Sequence, residues 1–461
     1  MLQSKLIAAA QTDVMFRLIA IMSTLFLCLG CASNRRAPMT VLGDYGAFAP
    51  VPADAASSRL AKAELTLVDL LVVAAGHPRV QAAHYQLRAT ASDARQRLLY
   101  PNPAIGLEAE NVPASGLDVD EGDGRLFLTQ PLVIGDRLRT ARQLGQAETA
   151  ASAQSAQALL HDLQSRIRKV YVELAYLAVR ERQLAAVMEE VGAARRLSEE
   201  RAEAGAVSPA ETQRIQVEYE LSSQERESVL RRQASVQGHL KALLGVDRFP
   251  HDRLKLVLTE PEPPPTWSSL RTGLLEHHPQ LQRQRRAVSV AEAREEHENA
   301  KRVPDLDIDV AYVRDHANDE DFAEFGISLP LPVFDRRQGH IEAARNRAAA
   351  SRSLVSALER ELLAELQASL AQLENRRRAL RRYNEHIIPK GNASYAQATH
   401  RYRAGKASLL DLLDAQRTQA RIEQNRLLVL YELNLAWANI ENLTGSPVMH
   451  LQIQSNGEET P

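Results

Sequence analysis

The sequence predicts a mainly α-helical fold with a small β part, built as two long antiparallel helical hairpins, each preceded by a helix and a pair of short strands. Three observations carry that prediction. The chain repeats itself at a nearly constant offset: His77 and Pro78 recur as His278 and Pro279, 201 positions on, and Ala204, Gly205 and Ser208 recur as Ala404, Gly405 and Ser408, 200 on. Gly245 likewise recurs as Gly445, and Pro131, Leu132, Asp136 and Arg137 recur as Pro330, Leu331, Asp335 and Arg336. Ordered matches of this kind mark a duplication. Second, no proline interrupts the stretch from Arg137 to Glu203. Third, segments ahead of each long stretch alternate apolar and polar residues with the period of a strand.

The chain opens with a targeting signal. Arg17 precedes an uncharged run from Leu18 to Gly30, too short for a membrane-spanning helix of roughly 20 residues and suited to the apolar core of a secretory signal. Met15, just before it, is an alternative start to Met1. The run ends at Gly30 and Cys31 and resembles a bacterial lipoprotein box with Cys31 as the lipidated residue, although Cys28 stands where leucine is usual; a plain signal peptide cut nearby is the alternative. Both cysteines lie here, so no disulfide, cysteine-type zinc site or cysteine nucleophile is expected in the remainder. No later uncharged stretch is long enough for a membrane helix, which leaves any crossing to strands.

The expected division is a signal peptide over 1–30, a lipidated extension over 31–64, repeats over 65–245 and 266–445, a Pro-rich linker over 246–265 and a tail over 446–461. Each repeat starts with a helix of roughly 30 residues, Leu67 to Leu99 in the first. Two strands follow. In the second repeat Leu306, Ile308, Val310 and Tyr312 alternate with Asp305, Asp307, Asp309 and Ala311, and Phe325, Ile327 and Leu329 alternate with Glu324, Gly326 and Ser328. In the first, Ile105, Leu107 and Ala109 alternate with Gly106, Glu108 and Glu110, while Leu126 and Leu128 interleave less cleanly with Phe127 and Thr129. Acidic, turn-rich loops join the pairs, over 116–124 and 314–321.

The stretch from Arg137 to Glu203 would extend roughly 100 Å as a helix. Leu160, Leu163, Ile167, Val170, Leu174, Leu177, Leu184, Met188 and Val191 form a seam of alternating three and four spacing, broken at Glu181. Gly205 stops the helix, and Ser208 and Pro209 restart it as N-cap and first-turn proline for about 36 residues. The partner stretch, about Arg336 to Arg403, contains Pro389, which should kink it.

Charge and motifs narrow the function. With 56 basic against 58 acidic residues and a net charge of −2, there is no basic footprint for nucleic acid. No nucleophile–base set, phosphate loop or His-Glu-x-x-His pattern is present, so no catalysis and no cofactor are expected. The loop containing Asp118, Asp120 and Asp123 lacks the spacing of a calcium loop. His277 and His278 diverge by about 100° on a helix, and only His278 recurs before a proline, which predicts a helix-end role. His316, among loop acids, is a weak metal candidate. Four strands with one apolar and one acidic face cannot close a barrel alone, since outer-membrane barrels start at about eight strands; two copies supply eight and three supply twelve.

This ordered combination resembles the outer-membrane efflux proteins typified by TolC, over about residues 65–445. The segment from Arg401 to Gln416 is similar to that family's periplasmic-tip signature, and the segment from Leu128 to Arg137, with Asn102, Pro103, Glu110 and Asn111 upstream, resembles its heavy-metal cation efflux subgroup. The resemblance implies a homotrimer whose four strands per chain form a 12-stranded transmembrane β-barrel, continuous with a periplasmic α-barrel. It also implies an outer-membrane location, a periplasmic adaptor and an inner-membrane pump of the resistance-nodulation-division type as partners, and passive conduction of heavy-metal cations. Ducts for drug efflux or type I protein secretion are the nearest alternatives; a periplasmic coiled-coil adaptor or scaffold is one from another class. Asp411 and Asp414 match the carboxylates lining the tip constriction, six in a trimer, where mutual repulsion would raise some pKa values; a solvated pair at a helix start is the plainer reading. Tyr402 matches a tyrosine that latches the closed tip, but the latch's basic residue falls at Ala407, and Lys406 would point elsewhere. Gly205, Ser208, Gly405 and Ser408 form the tip turns. Asp307 and Asp309 are expected to face the lumen, either biasing it toward cations or forming an acidic wall without selectivity.

Overall fold

The computed structural model describes residues 58–110, 123–204, 207–315, 318, 320–404 and 406–445. The same element order runs twice. Helices α1 (Leu67–Val73) and α2 (Pro78–Gln96) lead into strands β1 (Ala104–Glu110) and β2 (Asp123–Leu132), then helices α3 (Arg137–Glu203) and α4 (Pro209–Leu244). The second round is α5 (Trp267–His277), α6 (Pro279–Ala300), β3 (Leu306–Asp315), β4 (Glu320–Ser328), α7 (Gln338–Arg382), a π-helical turn (Tyr383–Ile387), α8 (Ile388–Arg403) and α9 (Leu409–Thr444).

The single opening helix expected in each repeat is in fact two. His77 and His278 break it, because the residue before a proline avoids helical geometry. Each then caps the helix that follows: His77 Nδ1 accepts from the Arg79 N–H at 3.0 Å, and His278 Nδ1 from the Leu281 N–H at 3.4 Å. The 67 residues of α3 are unbroken, as the absence of proline predicts. Both α4 and α9 have 36 residues and end on left-handed glycines, Gly245 (φ 68°) and Gly445 (φ 67°). Those glycines abut the histidine breaks. A Cβ on Gly245 would stand 2.9 Å from His77 Cδ2, and one on Gly445 would collide with the His277 carbonyl.

One four-stranded antiparallel sheet has the order β1-β2-β3-β4. Helices pack in the matching order, α2 on α3, α3 on α6 and α6 on α7, so each strand continues into one helix of a single-layer wall. Farther from the sheet, α4 and α9 take the places of α2 and α6 beside α3 and α7. Two apolar clusters hold this wall. Leu163, Ile167, Leu174 and Leu177 of α3 meet Leu240 and Leu244 of α4 and Leu70 of α1. Leu366, Leu373 and Leu380 of α7 meet Leu433 and Ile440 of α9 and Leu274 of α5. The linker is pinned where Leu65 and Leu254 form a parallel bridge.

Two departures have clear causes. The interruption of the α3 seam at Glu181 is bridged by its neighbour Arg180, 5% exposed, whose guanidinium reaches Glu225 on α4 while Glu181 pairs with Arg226 at 2.6 Å. Near Pro389, the expected kink takes the form of the π turn just ahead of it, which absorbs the missing donor within a helical path. The second acidic loop is shorter than expected, since β3 extends to Asp315 and β4 begins at Glu320; of the first, residues 123 and 124 belong to β2, while 116–122, Asp118 and Asp120 among them, lie outside the described residues, as does His316.

Candidate functional site

The sheet separates two surfaces by register. One carries cross-strand rows Ile105–Leu128–Val310–Phe325 and Leu107–Leu126–Tyr312–Ala323. Ile105, Leu107, Phe325 and Ile327 on it are 73 to 78% exposed, an apolar surface that the described residues leave uncovered. The other face is polar. Arg125 pairs with Glu108 at 3.0 Å and with Glu324 at 3.2 Å, and Thr129 donates to Asp309. Asp307 and Asp309 share this face with Glu108 and Glu324. Phe127, the residue that blurs the alternation in β2, lies over Gly106, where a Cβ would collide with its ring; Arg125 stacks on that ring at 5.2 Å. Among the described residues no helix is long and apolar enough to cross a membrane.

At the far end of the wall, Val191 and Ile215 of the first hairpin pack against Leu409 and Leu413 of the second. Ser208 caps α4, accepting from the Glu211 N–H at 3.3 Å. Ser408 caps α9 in a reciprocal box: Asp411 Oδ2 accepts from the Ser408 N–H at 2.9 Å and from its hydroxyl at 2.8 Å. These bonds from Ser408, backbone first, hold the Asp411 carboxyl below its ordinary range. Within one chain the effect thus runs opposite to the rise expected from a ring of carboxylates. Asp414, one turn on, is exposed beside Asp411, while Leu413 and Gln416 turn inward. Gly205, Gly405 and Cys31 lie outside the described residues.

Tyr402 has a basic partner that the sequence reading did not identify. Arg201, on the other hairpin, donates to its hydroxyl at 3.2 Å and lies 5.6 Å from its ring centroid. Lys406 instead closes its own turn, its N–H donating to the Arg401 carbonyl at 2.8 Å. Two further ties join the hairpins. Glu190 accepts from Gln416 Nε2 at 3.1 Å and from the Tyr395 hydroxyl at 3.3 Å; burial, then the charge of Glu190, pushes the Tyr395 pKa up. Arg417 donates to Glu218 at 2.9 Å. The duplication held a hint, since Arg201 and Arg401 are equivalents 200 apart, as are Gln216 and Gln416, whereas Tyr395 falls opposite Arg195.

Midway along the wall, His161 and His278 form an edge-to-face pair with ring centroids 6.3 Å apart. Burial lowers both to about 4, His161 also feeling His278 and Arg168. Arg168 lies 3.9 Å from Glu441, and both are almost fully buried.

Residues 270–446 match the family model described as outer membrane efflux protein. Along 439 residues, 92% of this chain and the whole of the relative, the sequence is 28% identical to the cobalt-zinc-cadmium resistance protein CzcC of Cupriavidus metallidurans. The second repeat thus matches the outer membrane efflux protein family. Its fold matches a membrane protein from Pseudomonas aeruginosa (TM-score 0.69, 19% identity, 82% of this chain and 90% of that one). It also matches CusC (TM-score 0.68, 15% identity, 82% and 92%). The two surfaces of the sheet have plain physical uses: the apolar one suits lipid and the polar one a wet interior.

Proposed function

We propose that this protein is the outer-membrane duct of a tripartite efflux system and that its cargo is heavy-metal cations. The observation that carries the duct is the sheet whose strands, apolar on one face and acidic on the other, continue one by one into a wall of long helices. The cargo follows the full-length similarity to a cobalt-zinc-cadmium resistance protein. Three copies close the strands into a barrel and the helices into a periplasmic tunnel. A periplasmic adaptor and an inner-membrane pump feed the tunnel, and the pump supplies the energy. The signal peptide is 1–30, Cys31 carries the lipid, and residues 65–245 and 266–445 are the two efflux repeats.

The conduction chemistry is electrostatic. Asp307 and Asp309 line the lumen and raise the local cation concentration. At the tip, Asp411 and Asp414 from three chains ring the axis, Tyr402 helps hold the hairpins together, and the turns at Gly205, Ser208, Gly405 and Ser408 separate on opening. Single-channel conductance in a planar bilayer tests the duct. Wild type and Asp411→Ala/Asp414→Ala should give discrete openings, cation-selective in wild type and less so in the variant. A folded protein silent in both forms overturns the duct. A strain lacking the protein should be sensitised to cobalt, zinc or cadmium; sensitisation to organic drugs alone overturns the cargo.

A further inference from the structure

A basic pocket lies where the helices of the wall meet the strands. It has a volume of about 410 Å³ and is lined by Arg97 from the end of α2, Arg137 and Leu138 from the start of α3, His297, Lys301 and Val303 around the end of α6, and Arg337 just ahead of α7. Four helices thus direct cations to one cavity. The side chains of Arg97, Arg137, Lys301 and Arg337 are each 31 to 35% exposed, so they are held in place yet reachable. Carboxylates hold them from behind: Glu148 binds Arg97, Asp305 binds Arg137, and Glu298 binds both Lys301 and Arg337. Arg294 adds a second cation on Glu148. Four of these cations line the cavity, and none of the three carboxylates does. Burial lowers the His297 pKa to about 4, and its Nδ1 lies 3.0 Å from the Thr140 hydroxyl.

Arg337 is the strongest sign that the arrangement is specific. It is the one non-glycine residue with positive φ (58°) among the described residues. At the corresponding strand-to-helix junction of the first repeat the left-handed position is Gly135 (φ 69°). An arginine at such a position is strained where glycine is not, and here its guanidinium enters the pocket. The location adds a second argument. Leu132 and Leu306, paired at the helix end of the sheet, terminate the apolar band, and the exposed side chains Leu331, Val333 and Phe334 continue just beyond β4. That is the level at which a bilayer's phosphates lie against a barrel, and fixed guanidinium and ammonium groups are their natural partners.

We propose that this pocket binds a phosphate group, supplied either by the headgroup of an anionic phospholipid or by free inorganic phosphate. The lipid source rests on the membrane-spanning reading above; the free anion does not. Val303, Pro304, Leu138 and Ala141 in the lining give the cavity apolar walls beside its cations, which favours the lipid.

The test uses the full-length protein in detergent and in nanodiscs, as wild type, Arg337→Gly and Lys301→Gln/Arg337→Gly. Arg337→Gly removes a pocket cation while relieving the backbone, so its fold should survive, which thermal unfolding checks. Native mass spectrometry with phosphatidylglycerol, phosphatidylcholine and inorganic phosphate reads the occupant. Wild type should retain phosphatidylglycerol over phosphatidylcholine, with retention falling about tenfold in the double variant. Saturable binding of inorganic phosphate without lipid preference, lost in the same variants, would assign the free anion instead. Equal retention in folded wild type and variants, or no binding of either, overturns the proposal. Failure to insert into liposomes would count against the barrel reading, and is measured separately.

Discussion

Replacing Glu190 with alanine should loosen the tip, and the size of the effect can be worked out. Glu190 on α3 ties the two hairpins through Gln416 on α9 and Tyr395 on α8. Gln416 is 9% exposed, so stripping its partner leaves a buried amide unsatisfied, a loss of about 1–3 kcal/mol. The Tyr395 bond adds about 0.5–1.5 kcal/mol. Glu190 itself is exposed, so the low ends apply, about 1.5 kcal/mol per chain. If three chains open together, the bias is about 4.5 kcal/mol, enough to turn a 1:99 equilibrium into one of about 20:1. If each hairpin pair moves alone, about 1.5 kcal/mol raises its open-to-closed ratio roughly twelvefold. Single-channel recording in planar bilayers separates these outcomes, with Glu189→Ala as the control on an adjoining face of the helix. An unchanged open probability in folded Glu190→Ala protein would refute the argument that this carboxylate restrains the tip.

Three further outcomes follow from the packing. His161 and His278, with folded pKa values near 4 against an ordinary 6.5, bind protons more readily once unfolded; their stabilisation is complete above pH 6.5 and declines as pH falls toward 4. Thermal unfolding across that window should show the decline, and His278→Asn, which keeps a capping acceptor, should shrink it; an unchanged pH dependence counts against it. Gly245→Ala should lower stability by at least about 1–2 kcal/mol from the left-handed backbone alone, because the new Cβ also meets Pro78 and His77; equal denaturation midpoints would contradict this. Leu366→Ala, at a fully buried position in the α7–α9 core, should reduce stability by about 2–5 kcal/mol in the same assay, and a loss below 1 would mean the core there is loosely packed.

Much of the fold was legible because its signals are local. An unbroken α3 needs only the absence of proline and a continuous seam, and the two 36-residue helices are bracketed by Ser208 and Gly245 and by Ser408 and Gly445. The capping roles of Ser208, Ser408 and His278 could likewise be read from neighbours in sequence. What escaped depends on residues far apart. The helix breaks at His77 and His278 follow from the same histidine–proline pairs, yet continuous apolar periodicity hid them. Arg180 could not be recognised as a seam residue without Glu225 opposite it. Phe127 looked out of phase because its real partner, Gly106, lies across the strand pair. At the tip, the cap at Ser408 was legible and Arg201 was not. Asp411 answers to Ser408 three residues away, whereas Arg201 meets Tyr402 only after two hairpins have docked.

The sheet also dictates how copies must meet. Among the described residues, strands β1 and β4 each pair on one side only, which leaves two open backbone edges of a kind that cannot face lipid. The edges differ in sequence, so β4 of one chain cannot satisfy itself by meeting another β4 in the same environment; head-to-tail pairing of β4 with the next β1 uses both. Antiparallel order is preserved at that joint, because β1 and β4 run in opposite directions within the sheet. Head-to-tail contacts close into a ring only when the curvature fits, and the wall helices beneath set that curvature along with the strands. The edge helices α2 and α7 stand under the edge strands β1 and β4. One rotation must therefore satisfy barrel and tunnel together, so a substitution that alters packing between neighbouring wall helices should disturb barrel closure some distance away.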